Sequence, residues 1–151
     1  MNERYDLIIL GTGEAGIFAA YEMAEKCPEA RVLVLDQGPD IYHRSCPIVA
    51  GKVKSCIHCK VCDTMCGFGG AGAFSDGKYN FTTAFGGWLT DFMPEKEVME
   101  LIEYVDSLNV RHGATTETFS TFTPEAQALK KKALEHDLHL LSARVKHLGT
   151  E

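Results

Sequence analysis

The sequence predicts an α/β fold, and three observations predict it. A short apolar run, residues 5–10 (YDLIIL), ends on glycine; a segment of helical period follows over 14–26; and a second apolar run, 31–35 (RVLVL), closes on Asp36. Parallel neighbours need a crossover connection, so this order spells a βαβ unit within the first 36 residues.

Each element has its own signal. Runs of four to eight mostly apolar residues bounded by turn formers read as buried strands. In 14–26, Ile17, Ala20, Tyr21 and Ala24 recur at helical spacing, and Pro28 ends the helix. Clean periodicity is then lost from Gln37 to about Met93, where glycine, cysteine and turn residues dominate. A loop region of that length is normally functional. Order returns at 94–108, with Pro94 at the expected first helical position and Val98, Leu101, Ile102, Val105 and Leu108 as an apolar stripe. Thr123-Pro124-Glu125 has the form of a helix start, leading to about Glu135. Residues 138–145 (LHLLSARV) read as another strand.

Composition bounds the function. A chain of 151 residues fits one domain, with 45% hydrophobic and 24% charged residues, ordinary globular usage. No apolar run approaches the roughly 20 residues of a membrane span, and the N-terminus lacks the basic start and long apolar stretch of a signal peptide. The expectation is a cytoplasmic protein with no membrane partner. A net charge of −6 argues against nucleic acid as a partner, because phosphate backbones are bound by clustered Lys and Arg.

The turn Gly11-Thr12-Gly13-Glu14-Ala15-Gly16 is a GxGxxG between predicted strand and predicted helix. In that context Gly11 permits the tight turn, Gly13 admits a pyrophosphate, Gly16 lets helix and strand approach, and the first helical N–H groups face the phosphate. Asp36, twenty residues beyond Gly16, stands where a carboxylate accepts hydrogen bonds from a ribose, with Gln37 beside it. The turn thus predicts a Rossmann-like dinucleotide site. A 2′-phosphate is disfavoured by Asp36.

Cys56-x2-Cys59-x2-Cys62-x3-Cys66 has the spacing of the ferredoxin-type run that binds a 4Fe-4S cluster. In that run proline follows the fourth cysteine; here Gly67 follows Cys66, and Cys46-Pro47 supplies the pair instead. The expected ligands are Cys46, Cys56, Cys59 and Cys62, with Cys66 competing as the fourth. Zinc, a thiol–disulfide pair and unliganded thiols are the alternatives. If metal alone is bound, the chain is a non-enzymatic iron-sulfur or zinc module on a βαβ scaffold.

A second glycine run, residues 66–78, interleaves Phe68, Phe74 and Lys78 with its glycines, unlike a flexible linker. Together YDLIILGTGEAGIFAAYEMA, the CxxCxxC loop, CGFGGAGAFSDGKYNFTTAFGGWL and VKHLGT resemble the N-terminal part of the FAD-dependent dehydrogenase-like flavoproteins. The resemblance implies FAD as cofactor and a flavoprotein with two dinucleotide-binding domains. Residues 1–151 would be the N-terminal part of its FAD-binding domain: a βαβ unit (1–36), a Cys/Gly-rich cofactor loop region (37–93), then helices and a strand (94–151). It implies an oxidoreductase in the full-length protein, this part alone being inactive. Gly11, Gly13 and Gly16 would meet the pyrophosphate and Asp36 the adenosine ribose, with Glu14, Ala15 and Gln37 also among the cofactor-binding residues. Gly70, Ala71, Phe74, Ser75, Asp76 and Lys78 would lie near the flavin. The partners it implies are a small-molecule substrate or an electron donor or acceptor, NAD(P)H among the candidates. Catalytic residues are not assigned.

Overall fold

The computed structural model describes residues 4–75 and 77–148. It is mixed α/β and divides into two compact units, Met1–Ser75 and Asp76–Glu151.

In the first unit, β1 (Leu7–Leu10) and β2 (Val32–Leu35) pair in parallel, Leu7 opposite Val32 and Leu10 opposite Leu35, joined by α1 (Glu14–Lys26). The βαβ unit expected from the two apolar runs is present. In this register Leu7, Ile9, Val32 and Val34 share one face of the ribbon and Ile8, Leu10, Leu33 and Leu35 the other. Ile9 is buried beneath α1, where a Cβ on Gly16 would lie 3.3 Å from its Cγ2. The opposite face is open, with Leu10 81% exposed. Gly16 is sterically required: a Cβ there would lie 1.9 Å from the Gly11 carbonyl oxygen.

In the second unit β3 (Lys78–Phe81), α2 (Glu95–Arg111), β4 (Phe119–Ser120), α3 (Pro124–Leu134) and β5 (Arg144–His147) form an antiparallel sheet, order β3-β5-β4, with two helices. Phe81, Val98, Leu108 and Ala143 are its buried apolar residues. Lys146 is buried on β5, its ammonium 2.6 Å and 2.8 Å from the two carboxylate oxygens of Asp106 on α2. The Tyr79 hydroxyl donates to the Ile102 carbonyl at 2.7 Å, tying β3 to the same helix. Thr123 caps α3 as expected, its hydroxyl accepting from the Ala126 N–H at 3.2 Å.

Four expectations are corrected. The last strand is 144–147 rather than 138–145, because residues 138–143 have no strand partner while Arg144 to His147 pair with β3. Within 37–93 lies an unexpected strand, β3, whose Lys-Tyr-Asn-Phe alternates exposed and buried. Pro94 sits one residue before α2, and the helix runs three residues beyond Leu108 to Arg111. Leu101 lies off the buried stripe and is 46% exposed.

Total accessible surface is 11622 Å², whereas even two separate globules of half this mass would expose about 9,100 Å². Apolar burial is therefore modest, and polar networks carry much of the local structure. Among the described residues no helix is long and apolar enough to cross a membrane.

Candidate functional site

Two cavities among the described residues of the first unit gather the expected site residues. One, of about 570 Å³, opens at the carboxyl ends of β1 and β2 and is lined by Leu10, Gly11, Gly13, Leu35, Asp36, Gln37, Met65, Cys66, Gly70 and Ala71. The first glycine turn and the second glycine run therefore meet there. Their contact is direct: the Gly69 N–H donates to the Thr12 carbonyl at 2.8 Å, and a Cβ on Gly70 (φ +57°) would stand 2.9 Å from the Gly13 Cα. Only glycine suits both the left-handed backbone and the close approach at that position.

Gly13 starts α1 with φ −70° and ψ −178°, and no side chain caps this end. The first N–H groups of a helix have no helical carbonyl to bond, so the uncapped end adjoins a glycine-walled cavity with donors and a favourable dipole for an anion. Glu14 and Ala15 are exposed in that first turn.

Asp36 is engaged by the protein itself. Its Oδ2 accepts from the Thr12 N–H and the Thr12 hydroxyl, both at 2.7 Å; its Oδ1 accepts from the Gly38 N–H at 2.9 Å and the Gly67 N–H at 2.8 Å. One carboxylate thus ties the first glycine turn and the start of the second run to the end of β2. These bonds, led by that from Gly38 and followed by the Thr12 pair, hold its pKa far below the usual carboxylate range. A depressed carboxylate pKa contributes stability that is present above the unfolded value of about 4 and is lost as pH falls through the folded one. Acidification from about pH 5 to about pH 3 is therefore expected to lower the urea midpoint of the first unit. Asp36→Asn should be weaker at neutral pH and should flatten that acid slope; an unchanged slope would remove this role.

Arg44, which sequence reasoning missed, is the other organiser. It is 8% exposed and donates to four backbone carbonyls: Nε to Asp63 at 2.7 Å, Nη1 to Phe68 and Gly70 at 2.7 Å each, and Nη2 to Thr64 at 2.9 Å. The guanidinium carbon lies 4.6 Å from the Phe74 ring centroid. No local pattern could have found it, since its partners are main-chain oxygens some twenty residues away.

The second cavity, of about 300 Å³, is lined by Cys46, Cys56, Cys59 and Cys62 together with His58, Asp63 and apolar residues. Cys66 lies instead on the first cavity, where its sulfur accepts a hydrogen bond from Gln37 Nε2 at 3.0 Å. The structure thus gathers the four favoured cysteines and separates the competitor. Hydrogen bonds from the Val49 and Ile48 N–H groups and the Thr64 hydroxyl hold the Cys46 thiol below its usual range. Among the described residues, no three His, Cys, Asp or Glu side chains converge closely enough to hold a single metal ion.

Of the remaining expected flavin contacts, Gly70 and Ala71 line the first cavity. Phe74 lies beneath Arg44, and Ser75 follows the 3₁₀ turn Gly70–Phe74, its N–H bonded to the Gly72 carbonyl at 3.0 Å. Lys78 is exposed on β3 in the second unit, and Asp76 lies outside the described residues. Thr12, Met65, Leu10 and Leu35 join the site without having been singled out in the sequence. Comparison with protein-family models, with curated proteins and with solved structures gives no match.

Proposed function

We propose that this chain carries the FAD-binding βαβ unit, Rossmann-like in kind, of an FAD-dependent oxidoreductase similar to the dehydrogenase-like flavoproteins. One observation carries the reading: the two glycine runs meet over an uncapped helix N-terminus and wall a cavity at the carboxyl ends of two parallel strands. Crevices in that position are where α/β folds take dinucleotides. The choice of FAD over NAD rests on the sequence resemblance, whose most specific stretch, GGAGAFSDGK, contributes Gly70 and Ala71 to the second wall.

The residues fit the group. The cradle is free of side chains at Gly11, Gly13 and Gly70, so a diphosphate can reach main-chain donors, and the helix dipole favours its charge. Leu10, Leu35 and Met65 give apolar surface at the rim for a flat ring. Asp36, whose oxygens already accept four bonds, orders the cradle through Thr12 and Gly67, and Gln37 is the neighbouring polar side chain on the cavity that would meet the ribose. FAD, when bound, supplies hydride and electron transfer, and the chain's task is to hold and orient it.

The test is amide mapping by nuclear magnetic resonance on the isotopically labelled chain as FAD is added. Saturable shifts at Gly11, Gly13, Ala15, Gly16 and Gly70 are expected. Shifts confined to residues outside the cavity would overturn the assignment.

A further inference from the structure

Cys46, Cys56, Cys59 and Cys62 line a cavity other than the dinucleotide cavity. Four of the six cysteines border one pocket, and the occupant inferred for it follows from the pocket's own residues. It does not depend on the flavin reading.

The pocket has the features of a cluster site. Cys56, Cys59 and Cys62 follow one another with two residues between each pair on one winding segment, and Cys46 returns from sixteen residues upstream of Cys62 to complete the wall. The turn between Cys56 and Cys59 is made by His58 in the left-handed region (φ +52°), which brings its N–H to 3.4 Å from the Cys56 sulfur. Donors of this kind disperse charge on metal-bound thiolates and tune the potential of an iron-sulfur centre. Ile48, Val53 and Ile57 supply apolar walls. Asp63 also borders the pocket, but one of its carboxylate oxygens, Oδ2, accepts the Ser45 N–H at 3.0 Å. Lys52, Lys54 and Lys60 fall within the same stretch of chain and offset the negative charge that four thiolates bring.

Two observations choose among metals and ligands. The four thiols border one cavity of about 300 Å³, and a cubane has irons at separate corners that each take one thiolate. A structural zinc ion requires all four ligands at one centre. Cys66, although it completes the ferredoxin-type spacing, faces the other cavity and is bonded by Gln37.

The geometry points to a 4Fe-4S cluster ligated by Cys46, Cys56, Cys59 and Cys62, with Cys66 outside the ligand set. On assembly each thiol releases its proton to solvent and forms one sulfur–iron bond. Equal parts of ferrous and ferric iron, with sulfide, supply the core at its mean oxidation state without a further oxidant.

The test is anaerobic reconstitution of the 151-residue chain with that mixture, in the absence of flavin, followed by iron and acid-labile sulfide analysis. About four of each per chain are expected. Cys46→Ser, Cys56→Ser, Cys59→Ser and Cys62→Ser should each lose a quarter or more of the iron, while Cys66→Ser keeps the full complement. Iron-edge X-ray absorption on the unaltered chain provides a readout independent of any variant, with a sulfur-only first shell and a short iron–iron distance expected. Preference for zinc when both metals are offered, one iron or none per chain, or loss of the cluster in Cys66→Ser with retention in Cys46→Ser would overturn the assignment. None of these results bears on FAD binding, which is measured separately.

Discussion

Arg44→Ala is expected to unfold much of the first unit. The substitution strips donors from the carbonyls of Asp63, Thr64, Phe68 and Gly70 at once. Leaving one buried acceptor unsatisfied costs about 1–3 kcal/mol, and water entering the vacated space recovers part of that, so a net loss of about 3–5 kcal/mol is expected. Domains are stable by only about 5–15 kcal/mol, which makes the loss a large share of the whole. Arg44→Lys keeps the charge but has no planar fork, and should fall between the two. The same residue holds Asp63 and Thr64, beside the cysteine pocket, and Gly70, at the glycine cradle. Iron loading and FAD affinity should therefore fall together in Arg44→Ala. Hydrogen exchange at the Gly69 and Gly70 amides reads the local stability, and protection equal to that of the unaltered chain would refute the role.

Gly13→Val is expected to separate binding from folding. A Cβ at Gly13 meets nothing within 4 Å, and its φ of −70° and ψ of −178° are extended geometry open to any residue. The new Cβ is unobstructed, and losing glycine at this N-cap costs about 1 kcal/mol, so the chain should stay folded. Its methyl groups would occupy the floor on which a diphosphate is proposed to rest. FAD affinity should fall by roughly 100-fold, equivalent to about 2.8 kcal/mol. Unaltered affinity in a folded Gly13→Val chain would show that no ligand approaches that backbone.

The parts of this structure that were legible in the sequence are those whose causes are local. The two apolar runs, the glycine turn between them and the Thr123-Pro124 helix start act over a few residues, and each formed as expected. The antiparallel sheet was not legible in the same way. Arg144 to His147 become a strand because Lys78 to Phe81 lie alongside, and a pairing across more than sixty residues leaves no mark on either segment. The four-residue alternation of Lys78 to Phe81 was in view but too short to stand out among glycines. At the site, the residue types of the cradle and of the cysteine pocket were readable from spacing. How Asp36 is used was not, because Thr12, Gly38 and Gly67 reach it mainly through backbone N–H groups, which every residue but proline carries. Arg44 was silent for the same reason.

On the proposed function, the two glycine runs together form a diphosphate cradle. Titration of FAD into the unaltered chain, followed by flavin fluorescence and then by competition with ADP, tests it most directly. Saturable binding at one site per chain, reversed by ADP, is the expected result; no saturable binding, or binding that ADP leaves untouched, would contradict it.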